Sequence, residues 1–184
     1  SIYDVIVYDS DSHAWIIDGV RLHLGKRFTY KHNDIESLEK NLKRATKVAN
    51  NNSGGILVIS EGVFGMRGEQ GKLKEIVKLK EKYKFRFLVD DAHGFGTLGK
   101  DGSGTGDEQG IQNEIDVYFA TFAKSIASTG AFIASSKEVI HFLKYNMRSQ
   151  MFAKSLQSVL VYGIIKRIEM MKSKPEFKKK LWEN

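Results

Sequence analysis

Four short apolar runs, each ending at polar residues, constrain this chain more than any other feature. Asp4-Val-Ile-Val-Tyr8, Ile56-Leu-Val-Ile59, Arg86-Phe-Leu-Val-Asp90 and Asp116 to Phe122 are nearly continuous in apolar side chains. A strand with one wet face alternates apolar and polar residues, so runs without alternation fit strands covered on both faces. Lys26–Tyr30 and Gly130–Ala134 read as two further strands. Between the strands, Asn33-Asp34 looks like a helix start, and Ile35, Leu38, Leu42, Ala45 and Ala49 follow at three- and four-residue steps until Asn50–Gly55 stops them. The same spacing predicts helices over Gly71–Tyr83, with Leu73, Ile76, Val77 and Lys80 on the inner edge, and over Ser136–Met147 and Val159–Met171. Seven glycines between Gly94 and Gly110 make that stretch a loop. Strands alternating with helices in this way specify an α/β domain on a largely parallel sheet.

The 184 residues suffice for one domain with a real core, and 41% apolar with 28% charged residues is ordinary globular composition. The lack of cysteine excludes disulfides, zinc–thiolate sites and thiol nucleophiles. No run approaches the roughly 18–20 apolar residues of a membrane span, and Ser1–Asp9 has no signal-peptide pattern, so a cytoplasmic setting is expected. The formal charge of +7 sits mainly in Lys72–Arg86 and Lys166–Lys180. There basic and apolar residues alternate at helix-like spacing, without the interleaved aromatics of a single-strand binder. That charge suits anionic substrates better than nucleic acid.

Ligands of open α/β sheets bind beyond the carboxyl ends of the strands. His13, Glu61, Asp90, His93 and Lys124 all fall at such ends. A lysine just past a buried strand, near an acid, suits Schiff-base chemistry, because burial lowers an amine's pKa. A carboxylate in the same pocket suits a pyridinium nitrogen. Taken singly, Lys124 could be surface charge, the histidines structural, and Asp90-Asp91 a strand terminator with a turn cap. A divalent ion on His13, Asp90 and His93, serving a hydrolase, is a competing reading. It leaves Lys124 and the residues around Thr121 unexplained.

At these residues the chain resembles a known family. Asp11-Ser-His-Ala-Trp-Ile-Ile-Asp-Gly19, Lys31-His-Asn-Asp34, Ser60-Glu-Gly-Val-Phe64 with Gly68, Val89-Asp-Asp-Ala-His-Gly94 and Thr121-Phe-Ala-Lys-Ser125 occur in that order. They look like the successive motifs of the α-oxoamine synthases, which use pyridoxal 5'-phosphate (PLP). The resemblance implies a three-layer α-β-α sandwich, the large domain of an aspartate aminotransferase-like PLP-dependent transferase. It implies that Lys124 binds PLP covalently and later takes the substrate's Cα proton. Asp90 would pair with the ring nitrogen and His93 with the phenolic oxygen. His13 and Ala92 would cover the two ring faces, and Thr121 would reach the phosphate. Glu61 would stand behind these groups. Ser155, in Phe152-Ala-Lys-Ser-Leu-Gln157, would contact the phosphate of a partner subunit's cofactor in a homodimer. His32-Asn33 belongs to the family pattern too, and its reading here is a cap at the start of the following helix. No metal is expected.

The implied reaction is a decarboxylative condensation of an amino acid with an acyl-CoA. In the serine palmitoyltransferase branch, which the Ala-Lys-Ser form of the lysine motif most resembles, L-serine and palmitoyl-CoA give 3-oxosphinganine. The 2-amino-3-ketobutyrate CoA ligase and 8-amino-7-oxononanoate synthase branches are alternatives, and a non-catalytic subunit is a further one. Membrane contact for delivering a long acyl chain stays open. The sequence departs from the family at Trp15 and Gly65, where relatives usually carry serine, and at Gln157, where they commonly have proline. Family members are roughly twice as long. Residues 1–184 are therefore expected to be the central part of the PLP-binding large domain, without the phosphate-loop segment and the small domain, and inactive by themselves.

Overall fold

Residues 1–184 are all described by a computed structural model. The chain runs through β1 (Val5–Asp9), α1 (Ala14–Arg21), β2 (Lys26–Tyr30), α2 (Ile35–Asn52), β3 (Ile56–Glu61), β4 (Val63–Phe64) and β5 (Glu69–Gln70). It continues through α3 (Leu73–Lys78), β6 (Arg86–Asp90), α4 (Thr105–Glu108), β7 (Val117–Thr121), β8 (Ala131–Ser135), α5 (Lys137–Asn146), α6 (Arg148–Phe152), α7 (Ser158–Ser173) and α8 (Pro175–Glu183). The main sheet has strand order β2-β1-β3-β6-β7-β8, parallel except for β8, which pairs antiparallel with β7. β4 and β5 form a separate small hairpin.

The apolar runs are covered on both faces, as their lack of alternation requires. Val5 and Val7 of β1, Val58 of β3, and Phe87 and Val89 of β6 pack with Leu38, Leu42, Ala45 and Ala49 of α2 and with Leu73 and Ile76 of α3. The opposite face is held by Ile16 and Val20 of α1 against Ile59, and further along by Ile164 of α7 against Tyr118 and Ala120. Each fully buried leucine, such as Leu38 or Leu42, contributes about 1.5–3 kcal/mol. The three layers expected from the family resemblance are therefore present.

α2 starts where Asp34 accepts the Ser37 N–H at 2.9 Å, and it ends on Ser53 in a left-handed conformation. It ends inside the Asn50–Gly55 tract that was expected to stop it, with Ala49 still buried and Ser53 breaking the backbone pattern. The helix expected over Gly71–Tyr83 is shorter: α3 stops at Lys78 and a single 3-10 turn, Leu79–Glu81, follows. Lys80 lies in that turn and pairs with Asp116 at 2.7 Å instead of lining a helix core. The glycine-rich loop contains the one-turn helix α4.

On α5 to α7 many large apolar side chains face outward, among them Phe142, Tyr145, Phe152, Val159 and Tyr162. No helix is long and apolar enough to cross a membrane.

Candidate active site

The carboxyl ends of β1, β3, β6 and β7 open on one side of the sheet, and four loops bring the chemistry there. After β1, His13 caps α1: its Nδ1 accepts the Trp15 N–H at 3.3 Å, which leaves the ring proton of the neutral imidazole on Nε2. Glu61, the last residue of β3, accepts the His13 backbone N–H through Oε1. A group expected merely to stand behind the site thus anchors the loop that carries His13.

β6 ends on Asp90, and its two oxygens have different partners. Oδ1 accepts the Ala92 N–H at 3.0 Å, and Oδ2 accepts the Trp15 indole N–H at 2.8 Å. Asp91 points the other way and is fully buried. It accepts from the Thr105 N–H and hydroxyl, both at 2.7 Å, and from the Tyr118 hydroxyl at 2.9 Å. The neighbouring aspartates thus divide the work: one faces the crevice and the other fastens the glycine-rich loop. Sequence reasoning took Asp91 only as part of a strand end; the signal that could have found it was the glycine-dense loop needing an acceptor.

His93 is half-buried, beside the turn of the β4–β5 hairpin. A Cβ on Gly65 would stand 2.2 Å from its Nε2, so the serine that relatives usually carry there would have to shift the His93 ring. The Lys124 turn is closed by the Ala127 N–H to the Lys124 carbonyl at 2.9 Å. It is pinned by buried Ile126 and by Ser125, whose hydroxyl donates to the Phe95 carbonyl at 2.6 Å. These anchors on the two following residues leave the lysine side chain free over the crevice.

The charges interact across the opening. Burial holds the Lys124 ammonium below its ordinary value, against the pull of the Asp90 and Glu61 carboxylates. Burial also lowers His93, and the Lys124 charge adds to it. Glu61 is pushed up to about 7 by burial, although the His13 N–H opposes this. Because folded Glu61 holds its proton more tightly than the unfolded residue, with its ordinary value of 4.5, the folded state carries the extra proton between those two values. Stability contributed by this group is present at low pH and is lost as pH rises towards 7. In cofactor-free full-length protein, unfolding free energy should fall by roughly 2 kcal/mol between about pH 4.5 and 7, after discounting for solvent. Glu61→Gln should flatten that slope in urea titrations across the range; an unchanged slope would contradict it.

The Thr121 hydroxyl donates to the Gly130 carbonyl at 3.0 Å and accepts the Ala123 N–H at 3.2 Å. It braces β7 against β8, with one acceptor site left on its oxygen. Ser155 is exposed between α6 and α7 and makes no side-chain hydrogen bond. His32-Asn33 does not cap α2, since Asp34 does. Instead His32 Nδ1 meets Asp9 Oδ1 at 2.9 Å, its Nε2 meets Glu69, and the Asn33 N–H reaches Asp9 Oδ2 at 2.9 Å. The pair ties β1 and β2 to the hairpin. Metal-ligand spacing occurs at Asp9, Asp11 and His32, not at His13, Asp90 and His93. Arg67 already pairs with Asp11 there at 2.6 Å.

The donor set fits PLP. An exposed imidazole, a buried carboxylate, a half-buried imidazole and an amine made more nucleophilic by burial surround one opening. Beside them the Ser12 and Ser128 hydroxyls are buried without a hydrogen-bond partner. Ser128 in the lysine turn escaped the sequence reading, because nothing in the sequence separates it from any loop serine.

Comparison with known proteins agrees with this geometry. The chain is 70% identical over 181 residues to a cysteate-C-fatty acyltransferase of Capnocytophaga ochracea, covering 98% of this chain and 43% of that protein. It is 40% identical to an 8-amino-7-oxononanoate synthase of Fervidobacterium nodosum, covering 98% and 45%. A solved serine palmitoyltransferase of S. paucimobilis, carrying a bound PLP–myriocin aldimine, superposes with a TM-score of 0.90 at 31% identity, over 98% of this chain and 44% of that one. The chain thus spans less than half the length of the proteins it matches. Its match to aminotransferase class I and II covers residues 2–184, and the chain belongs to that family, as an α-oxoamine synthase-like member of PLP fold type I.

Proposed function

We propose that these residues form the central part of the large domain of a PLP-dependent C-acyltransferase, which joins an amino acid to a fatty acyl-CoA with release of CoA and carbon dioxide. The observation that carries this reading is Lys124, set on a pinned turn in the field of Asp90 and Glu61 beyond the strand ends. When bound, PLP supplies an electron sink for the carbanion at the amino acid's Cα. Asp90 would hold the ring nitrogen's proton, and His13 and Ala92 would lie against the ring. His93 would hydrogen-bond the ring's phenolic oxygen, and the Thr121 turn would stand at the phosphate. Lys124 would take the Cα proton, and burial, which holds its ammonium below the ordinary value, favours the free amine that this step needs.

The 70% relative favours cysteate over serine as the amino acid, revising the branch expected from the lysine motif. With cysteate the balanced reaction consumes the amino acid and the thioester. It yields a 2-amino-3-oxoalkane-1-sulfonate, CoA and carbon dioxide. The active form is proposed to be a homodimer, which the apolar side chains exposed on α5 to α7 support.

The test is to supply full-length, PLP-loaded protein with palmitoyl-CoA and either cysteate or serine, following thiol release and product mass. Turnover with cysteate at least about tenfold above serine is expected. Turnover with serine alone would return the chain to the serine branch. Turnover with neither would defeat the acyltransferase reading.

A further inference from the structure

We propose that Trp15 is a positioning residue for Asp90, its indole N–H fixing the carboxylate that meets the cofactor's ring nitrogen. The inference rests on the PLP reading above and concerns a position where relatives usually carry serine.

Asp90 Oδ1 is held by the Ala92 N–H and Oδ2 by the Trp15 indole. Each carboxylate oxygen has about two acceptor sites. The two donors therefore orient the group without filling it, and both oxygens keep a site for a ring N–H. The indole is placed by tilted packing against Phe119, with ring centroids 4.8 Å apart at 46°. Phe119 is itself the direct neighbour of Asp90 across the β6–β7 ladder. Trp15 is 41% exposed, so core burial does not account for its position. Its backbone N–H also holds the His13 ring. One residue in the first turn of α1 thus orients both the proposed ring-stacking imidazole and the carboxylate at the ring edge. Serine cannot substitute: its hydroxyl ends two bonds from Cα, whereas the indole nitrogen lies four bonds out.

The experiment uses full-length protein loaded with PLP carrying nitrogen-15 in its ring. Wild type and Trp15→Phe are compared by the ring-nitrogen resonance and by PLP affinity, with circular dichroism as the folding control. The phenylalanine keeps the packing against Phe119 and removes only the donor. The resonance should move towards the unprotonated position, and the dissociation constant should rise about five- to tenfold. Trp15→His, which keeps a ring N–H, should recover part of both effects.

Wild-type loading with an unchanged resonance and affinity in Trp15→Phe would overturn the inference alone. So would tighter binding in that variant, because it would mean that the indole competes with the cofactor for Asp90. Should Trp15→Phe not fold, Trp15→Ser is judged by the same two readouts. A wild-type protein that takes up no PLP would overturn the cofactor reading and this inference with it.

Discussion

Lys124→Ala in the full-length protein is expected to lower turnover by about a thousandfold or more while leaving the fold intact. The residue is proposed to hold the cofactor and then to move a proton, and general-base catalysis alone is worth about 10²–10⁴. No hydrogen bond or ion pair of the Lys124 side chain braces the structure, and the turn that carries it is fastened by Ser125 and Ile126. Removing the amine should therefore leave the urea midpoint nearly unchanged. Borohydride reduction of PLP-treated wild type, followed by digestion and mass analysis, should find the pyridoxyl group on Lys124, and none on that peptide in the variant. A label scattered over surface lysines, or a variant within tenfold of wild type, would contradict the assigned role.

The second large effect concerns stability. Asp91→Ala should cost about 3–5 kcal/mol, read from the urea unfolding midpoint. The substitution strands two buried donors, the Thr105 N–H and hydroxyl, and leaves the Tyr118 hydroxyl only its longer bond to the Ser103 carbonyl at 3.2 Å. A buried donor left without a partner costs about 1–3 kcal/mol. Burial already pushes the Asp91 carboxyl above its ordinary value despite those bonds, so part of the ionic benefit is spent on desolvation and the expected loss stays below the upper end of the simple sum. The backbone has closed around this group. A Cβ on Gly62 or Gly94 would stand 1.9 or 2.1 Å from Asp91 Oδ1, and Gly104, at φ +110°, lies as close to Oδ2. Asp91→Asn, which keeps one acceptor oxygen, should lose roughly half as much. A loss below about 1 kcal/mol for the alanine would mean that water replaces the carboxylate.

The parallel sheet was legible because burial on both faces leaves a mark along the chain: Ile56–Ile59 and Phe87–Val89 have no polar alternation to hide. The long helix α2 was legible through Leu38, Leu42, Ala45 and Ala49. α1 was missed as an element, since its eight residues bury only Ile16 and Val20, too few for a period to stand out. α8 was missed for a related reason, having no buried residue at all. The β4–β5 hairpin is two residues a side, below any pattern length. The proposed site residues stand out through ordered motifs at strand ends, and their roles come only from resemblance.

By itself the sequence determined the kind of fold and marked the strand ends after which His13, Asp90, His93 and Lys124, the proposed site residues, fall. Covalent order and hydrophobic period encode those facts locally, within a strand and the turn after it. Only the tertiary structure decided that Asp91 turns away to fasten the glycine-rich loop through Thr105 and Tyr118. It also decided that His32 and Asn33 serve Asp9 instead of a helix end, and that Trp15 reaches Asp90 across 75 positions of sequence. Those pairings join residues far apart in the chain, and a hydrogen bond's direction depends on where two backbones have come to rest. No local period carries that information.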